Sequence, residues 1–559
     1  MDPTGSADAR RDTAAGLVRA LPDAASPPTR PRRPRPPVGR RTALAAWTLA
    51  ALAAYLVYLR LASTRAVNSD GASIALLGWD MLHGNLLLHG WTVSDVSFYT
   101  TEVPQYALIE LLRGLSPDVI HLAAAMTYTL VVLFAALLAK GTATGREAAL
   151  RVALTVGIML APQLGSGTDV LLSSPDHTGT AVPVLVAWLI IDRLRPRWYV
   201  PAAVAVLLAA AMTSDMLVLI VGVIPLAAAC GIRAVSALLG DRKQDGFELT
   251  LGGSAIVAAV LALAATHLLR ALGGFTTRPL GVGFSPLAHI LGHNLPVVGQ
   301  GLLLLAGADF IGLPATATTW FVVLHLAGVA LAAAGIAVAA WRLRRNEDLV
   351  SQLLLLGIAV SVAAYGLGTH AALVANAREM APVLPFAAAL AGRHLAAPLR
   401  SAPRELRRLL LPALALALAG YLAGLGLELT QPSAPPLAAP LTAWLKAHPR
   451  LGTGLSGFWE ANVVSVTSGG AAAVHLVGVS GGRIVAGSGN TRDAWYDPAR
   501  STAHFVVLSP GVPGYPGFRA RQAVIATFGR PDRTYHVGAY TILYWEHNLI
   551  ARLGPASAA

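Results

Sequence analysis

The chain has 559 residues, 55% of them hydrophobic and only 13% charged, with a mean hydropathy of +0.59 and a net charge of +13. A soluble domain carries nearer a quarter of its residues charged, so a single soluble core is excluded and a polytopic membrane protein is expected. The basic excess does not point to nucleic acid, because it is concentrated beside apolar runs. The single cysteine, Cys230, excludes an intramolecular disulfide.

Residues 1–41 are rich in Pro, Ala and Arg and read as a disordered cytoplasmic tail. This tail lacks the cleavage site of a removed signal peptide, so the apolar run after it is expected to remain as an anchor. A membrane-spanning helix needs about 20 apolar residues. Such runs occupy 42–60, 117–139, 147–165, 178–192, 198–213, 215–236, 249–271, 318–341, 349–369, 380–397 and 408–428, predicting about eleven transmembrane helices. With the tail in the cytoplasm, the inner segments hold 26 Lys and Arg against 12 Asp and Glu, and the outer loops hold 6 against 12. Basic loops stay in the cytoplasm, so the N-terminus is expected inside and the C-terminus outside. Arg far outnumbers Lys (Lys140, Lys243 and Lys446), which suggests a GC-rich bacterial genome and hence a plasma membrane.

Two outer segments, 61–116 and 272–317, are longer than connectors. Their amphipathic stretches near Ala72–Leu82, Pro104–Leu112 and Pro286–Leu305 predict helices lying on the outer membrane face. Residues 430–559 read as an extracytoplasmic α+β domain. Strands are expected at Asn462–Thr467, Val474–Val479, His504–Leu508, Val524–Phe528 and Tyr540–Trp545, with a helix near Leu441–Ala447. The expected fold is therefore an all-α polytopic membrane domain over 42–428 with a C-terminal α+β domain.

The outer loops carry the candidate chemistry. Asp70, about ten residues beyond the first span, suits a general base that takes a proton from an acceptor hydroxyl. It suits equally an N-cap for the helix starting near Ala72. Glu102, ahead of Pro104, is a candidate substrate-binding residue. Asp176 and His177 open the fourth span, either as a pair that orients an acceptor or as a capped helix start with a boundary histidine. His289 and His293, at i and i+4, share a helix face. Two ligands do not make a metal site, so a headgroup or phosphate is expected there, together with Arg278. Arg378 suits bidentate capture of a lipid phosphate, or an ion pair with Glu379 or with a carboxylate on a neighbouring helix. Four tryptophans of the outer domain (Trp444, Trp459, Trp495 and Trp545) suit either sugar stacking or its core. No phosphate-binding loop, dinucleotide fingerprint or zinc-ligand cluster is present. The spans hold almost no interior charge, Asp215 at one helix end being the nearest case, which argues against an ion-coupled carrier.

In the order of these parts the chain resembles the GT-C-type polytopic glycosyltransferases, the superfamily of protein O-mannosyltransferases and aminoarabinose transferases. The resemblance covers 42–428. It rests on Asp70-Gly71-Ala72 with Gly78 and Met81-Leu82-His83-Gly84-Asn85 in the first loop, and on Arg197-Trp198 with Ala209-Ala210-Ala211-Met212-Thr213-Ser214-Asp215. It rests also on Ala377-Arg378-Glu379-Met380-Ala381-Pro382-Val383-Leu384-Pro385 and on the soluble C-terminal domain. The chain departs from it in having Thr101-Glu102-Val103-Pro104 where many relatives place a lysine before the proline, and in having Gly71 after Asp70. The resemblance implies transfer of a sugar from a polyprenyl-phosphate donor to an extracytoplasmic glycan, lipid or protein. In that reading Asp70 is the base, Asp176 and His177 place the acceptor, and Arg378 and Arg278 hold the phosphate. No nucleotide cofactor is implied; a divalent cation is left open. The competing expectation is a non-catalytic scaffold, or a component that binds or flips lipid-linked sugar.

Overall fold

The computed structural model describes residues 39–160, 166–240, 245–279, 281, 283–343, 348–512 and 515–555. The expected tail falls, up to residue 38, outside them. Helix α1 (Arg40–Ala62) leads to α2 (Ser69–Leu82), strand β1 (Trp91–Val93) and α3 (Glu102–Arg113). Then come α4 (Asp118–Lys140), α5 (Gly145–Met159), the short α6 (Ser166–Leu172), α7 (Asp176–Arg193) and α8 (Tyr199–Ser214). A π turn (Leu219–Val223) runs into α9 (Ile224–Leu238), followed by α10 (Gly246–Ala271) and strand β2 (Thr276–Thr277). Next, α11 (Leu287–His289) passes through a π turn into α12 (Leu295–Leu305). Helices α13 (Ala317–Leu324), α14 (Leu326–Arg342) and α15 (Leu349–Leu367) precede a 3₁₀ segment (Val374–Met380), α16 (Val383–Ser401) and α17 (Arg404–Thr430).

Each expected span contains a helix, and the three amphipathic stretches are helical as expected. Among the described residues, seven helical segments are long and apolar enough to cross a membrane, or eight if the 3₁₀ segment and α16, bent by 58°, form one span. With that pair counted as one span, three of the eleven expected spans fall short of that measure. Helices α5 and α8 have 15 and 16 residues, and α7, with 18, carries Asp176, Asp192 and Arg193.

Helix α16 is the hub, buried continuously from Val383 to Gly392. Helices packing in lipid gain little from hydrophobic burial and depend on close contact through small residues. Gly335 of α14 faces Ala391 so closely that a Cβ there would lie 2.5 Å from the Ala391 Cα and 2.6 Å from its nitrogen. Gly357 of α15 accepts the ring of Phe386, which would lie 2.7 Å from a Cβ. Arg393 then fastens the far end of α16, donating to Asp348 at 2.9 Å, Asp192 at 3.2 Å and the Leu138 carbonyl at 2.7 Å.

The C-terminal domain is α+β. It contains α18 (Ala439–Ala447), β3 (Gly454–Ser456), α19 (Phe458–Thr467), β4 (Val474–Ser480), β5 (Arg483–Ala486), β6 (Thr491–Arg492), β7 (Phe505–Leu508), β8 (Gly511–Val512), β9 (Tyr515–Pro516), α20 (Arg521–Phe528), β10 (Arg533–Val537) and β11 (Tyr540–Tyr544). Six strands form a mixed sheet in the order β10-β11-β7-β3-β4-β5. Two expected strands are helices instead. Asn462–Thr467 lies in α19, where Val463, Val464 and Val466 are buried on every side, so no alternation separates strand from helix. Val524–Phe528 lies in α20, which stops at Gly529 with φ +86°, a left-handed C-terminal glycine.

This domain is bound to the first outer loop. Asn462 of α19 donates to the Ser73 hydroxyl of α2 at 2.9 Å, and the Ser69 hydroxyl donates to the Phe458 carbonyl. Strand β1 pairs in parallel with β2 and antiparallel with β6, so one ribbon joins both long outer loops to the domain. At its end Asp80 accepts from Trp91 Nε1 at 2.7 Å and from Arg492 at 2.9 Å. Beside them His475 stacks on Trp495 at 4.6 Å, its imidazole pushed by burial down to about 4 and hence neutral at pH 7. Trp495 thus serves docking, and Trp545, fully buried, serves the core.

Substituting Gly335→Leu should lower stability by ~1–3 kcal/mol or more, because the obstruction is backbone; thermal unfolding in detergent measures it. Glu110 of α3 gives a pH-dependent case. Both its carboxylate oxygens are buried without a hydrogen-bond partner among the described residues, and burial raises its carboxyl to about 9. The folded state keeps a proton that the unfolded chain releases above the ordinary carboxylate range. Stability therefore falls as pH rises from about 4.5 toward about 9. Glu110→Gln should raise the melting temperature at pH 7–8, and the gain should vanish on titration to pH 4.

Candidate functional site

Helix α2 starts beneath the C-terminal domain. Asn68 is its N-cap, its Oδ1 accepting from the Gly71 N–H at 3.2 Å. Capping therefore does not occupy Asp70, which lies in the first turn, where the helix dipole favours a carboxylate. Arg378, on the 3₁₀ segment that leads into α16, donates to Asp70 Oδ2 at 3.2 Å. Of the partners weighed for Arg378, a carboxylate on a neighbouring element is the one observed. Gly71 follows Asp70 because α2 crosses α4 there: a Cβ would sit 2.6 Å from Ile120 Cγ2.

The pair lines the first of two adjoining chambers. The first, about 220 Å³, is lined by Asp70, Asp95, His177, Arg278, Arg378 and Asn490, among others. The second, about 290 Å³, shares Asp95, Val96 and His177 with the first. It extends past Asp215, His370 and Glu379 to the apolar wall of Met216, Leu219 and Ile220. Two charge pairs face the second chamber. His177 Nδ1 donates to Asp215 Oδ2 at 3.0 Å, the Thr180 hydroxyl donates to the same oxygen, and the Leu217 N–H donates to Oδ1 at 2.8 Å. Burial alone would push the Asp215 carboxyl up, but the neighbouring His177 and these hydrogen bonds outweigh it and hold it below the ordinary carboxylate range. His370 Nδ1 lies 3.0 Å from Glu379 Oε1. The wall between the chambers is pinned where the Ser97 and Phe98 N–H groups donate to the Ser214 carbonyl at 3.0 and 3.1 Å. Phe98 holds φ +52°, a left-handed conformation uncommon for an aromatic residue and concentrated at functional sites.

Asp70, His177, Arg278 and Arg378 line the first chamber, and Glu379 lines the second. Asp176 opens α7, and its side chain lies outside the described residues. Glu102 lines neither chamber; it is buried at the start of α3, filling the space over Gly179 of α7 and accepting from the Thr101 hydroxyl. His289 and His293 are also elsewhere, their rings 4.8 Å apart and His293 bonded to the Ala372 carbonyl. Asp95, Asp215, His370 and Asn490 were not singled out as site residues. Of these, Asp215 had a signal, being an acid at the end of an apolar run. Among the described residues no group of three or more His, Cys, Asp or Glu converges as a metal site.

The fold has a solved counterpart. It matches the aminoarabinose transferase ArnT from Cupriavidus metallidurans, solved bound to undecaprenyl phosphate, with TM-score 0.53 and 13% identity over 90% of this chain and 98% of that one. The apo state of the same enzyme matches with TM-score 0.52 and 13% identity over 92% of this chain and 100% of that one. The Archaeoglobus fulgidus oligosaccharyltransferase, in complex with zinc and sulfate, is more distant, with TM-score 0.44 and 15% identity over 82% and 67% of the two chains. No protein-family model matches the sequence. No curated protein matches it either.

Replacing His177 by Phe removes the charge partner of a buried carboxylate and should cost ~3 kcal/mol. A carboxyl held below its ordinary range adds stability above that range and loses it as pH falls through the lowered value. In the variant, acid unfolding followed by tryptophan fluorescence should therefore begin at higher pH.

Proposed function

We propose that the protein transfers a sugar from a polyprenyl-phosphate-linked donor to an acceptor on the outer side of the membrane, with the N-terminus in the cytoplasm and the C-terminal domain outside. What carries this is the Asp70–Arg378 pair in a polar chamber that shares Asp95, Val96 and His177 with an apolar-walled one. Support comes from a fold shared with a protein solved bound to undecaprenyl phosphate. The two chambers suit the two halves of such a donor, a hydrophilic sugar phosphate and its greasy chain.

In this reading Arg378 holds the phosphate, with Arg278 in the same chamber. An arriving phosphate competes with Asp70 for the guanidinium, which releases the carboxylate at the moment it is needed. Asp70 then accepts the proton of an acceptor hydroxyl as that oxygen bonds to the anomeric carbon. The bond from that carbon to the phosphate oxygen breaks, and the electron pair leaves with the lipid phosphate. Arg378 stabilises the charge that develops there, the step at which preorganised electrostatics contribute most. The His177–Asp215 pair, shared by or adjoining both chambers, keeps the wall between sugar and acceptor in register, and Glu379, held by His370, bounds the second chamber.

Asp70→Asn should reduce transfer by roughly 10²–10⁴-fold, the usual contribution of a positioned base, without loss of the folded protein. The measurement is envelope-glycan composition in a deletion strain complemented with wild type or variant. Unchanged glycan with Asp70→Asn would instead favour a scaffold, and loss of lipid-linked-sugar movement with unchanged product chemistry would favour a flipping component.

A further inference from the structure

A third cavity, about 490 Å³, lies outside the two chambers just described. Its floor is the β2-β1-β6 ribbon, contributing Thr92, Thr277 and Thr491, and its wall is the outer-domain segment from Ala486 to Tyr496 with the C-terminal turn at Gly554. That turn is held in place, since the Ala486 N–H donates to the Gly554 carbonyl at 3.0 Å. No membrane-spanning helix lines this groove. A ligand there meets only outer loops and the C-terminal domain, so it arrives from water and not from lipid.

The lining is chemically specific. Thr92, Thr277, Ser488, Asp493 and Arg278 line one trough with Tyr496, the Thr92 hydroxyl meeting that of Thr276 at 3.1 Å and the Thr277 hydroxyl accepting from Arg270 at 3.1 Å. Paired donors and acceptors around a mostly uncharged lining match a polyhydroxylated neutral chain. Arg278 and Ser488 line both this groove and the Asp70 chamber. The Arg278 stem passes over Gly489, which holds φ +94° and where a Cβ would lie 2.8 Å from Arg278 Cδ. Any side chain at 489 would close that passage. Among the described residues the Arg278 guanidinium makes no salt bridge, so it is available to a ligand on either side.

We infer that this groove binds the acceptor, that the acceptor is a neutral carbohydrate chain, and that the chain's end passes Arg278 to reach Asp70. This rests on the transferase reading of the inner chambers. The test uses full-length protein in detergent and two probes, an array of neutral oligosaccharides and undecaprenyl phosphate. Thr277 belongs to the groove and to neither chamber, and it sits on a short edge strand, so Thr277→Trp obstructs the trough alone. At least one oligosaccharide should bind the wild type. Binding should fall at least tenfold in Thr277→Trp, persist in Thr277→Ser and Asp70→Asn, and leave undecaprenyl-phosphate binding unchanged. No oligosaccharide bound by the wild type, or equal binding by Thr277→Trp when Thr277→Ser confirms the fold, would overturn the inference. Undecaprenyl-phosphate binding and the glycan phenotype of Asp70→Asn report on the inner chambers separately, so either idea can fail without the other.

Discussion

Close backbone contact around α16 is the constraint on which the rest depends. Between helices in a bilayer the surrounding lipid is as apolar as the side chains, so dispersion and fit must do what water-driven burial does elsewhere. Gly335, Gly357 and the alanines of α16 let four helices approach one axis. At the N-terminal end of that axis lies the 3₁₀ segment bearing Arg378 and Glu379. A bend of 58° separates that segment from α16, which turns Arg378 away from the bundle and toward α2. The position of the site's central cation is thus inherited from packing deep in the membrane.

The site itself is organised by pairing. Each buried or half-buried charge facing the second chamber has an opposite close by: His177 with Asp215, and His370 with Glu379. Burying single charges is costly unless they are paired and hydrogen-bonded. The Asp70–Arg378 pair differs in exposure, with 39% of the arginine side chain and 19% of the aspartate accessible. A contact this open costs little to exchange for another anion, whereas the Asp215 network, closed by three donors, does not exchange cheaply.

The apolar runs made the helices legible, because length and composition alone specify a segment that can cross lipid. The helices of the amphipathic stretches were legible from their spacing. The sequence pointed to both Asp70 and Arg378, but not to their meeting: they are 308 residues apart, and no local pattern encodes such a contact. Asp80 carried no local signal, because its partners Trp91 and Arg492 come together only through the ribbon. Asn462–Thr467 read as a strand, because β-branched residues buried on all sides carry the same signature in either conformation. Glu102 was singled out for its place before Pro104, yet its carboxylate fills the notch that Gly179 leaves in α7.

The ribbon that ties the outer domain down also sets an order of assembly. Asp80 and Arg492 are 412 residues apart, so β1 and its acidic neighbour leave the ribosome long before their partner exists. At about 5–20 residues per second that delay is roughly 20–80 s. Throughout it, the nascent first loop presents an unsatisfied strand edge and an unanswered carboxylate beside the bilayer. The segment around Arg492 therefore completes the substructure begun around Asp80, closing a clasp whose two halves are made 412 residues apart.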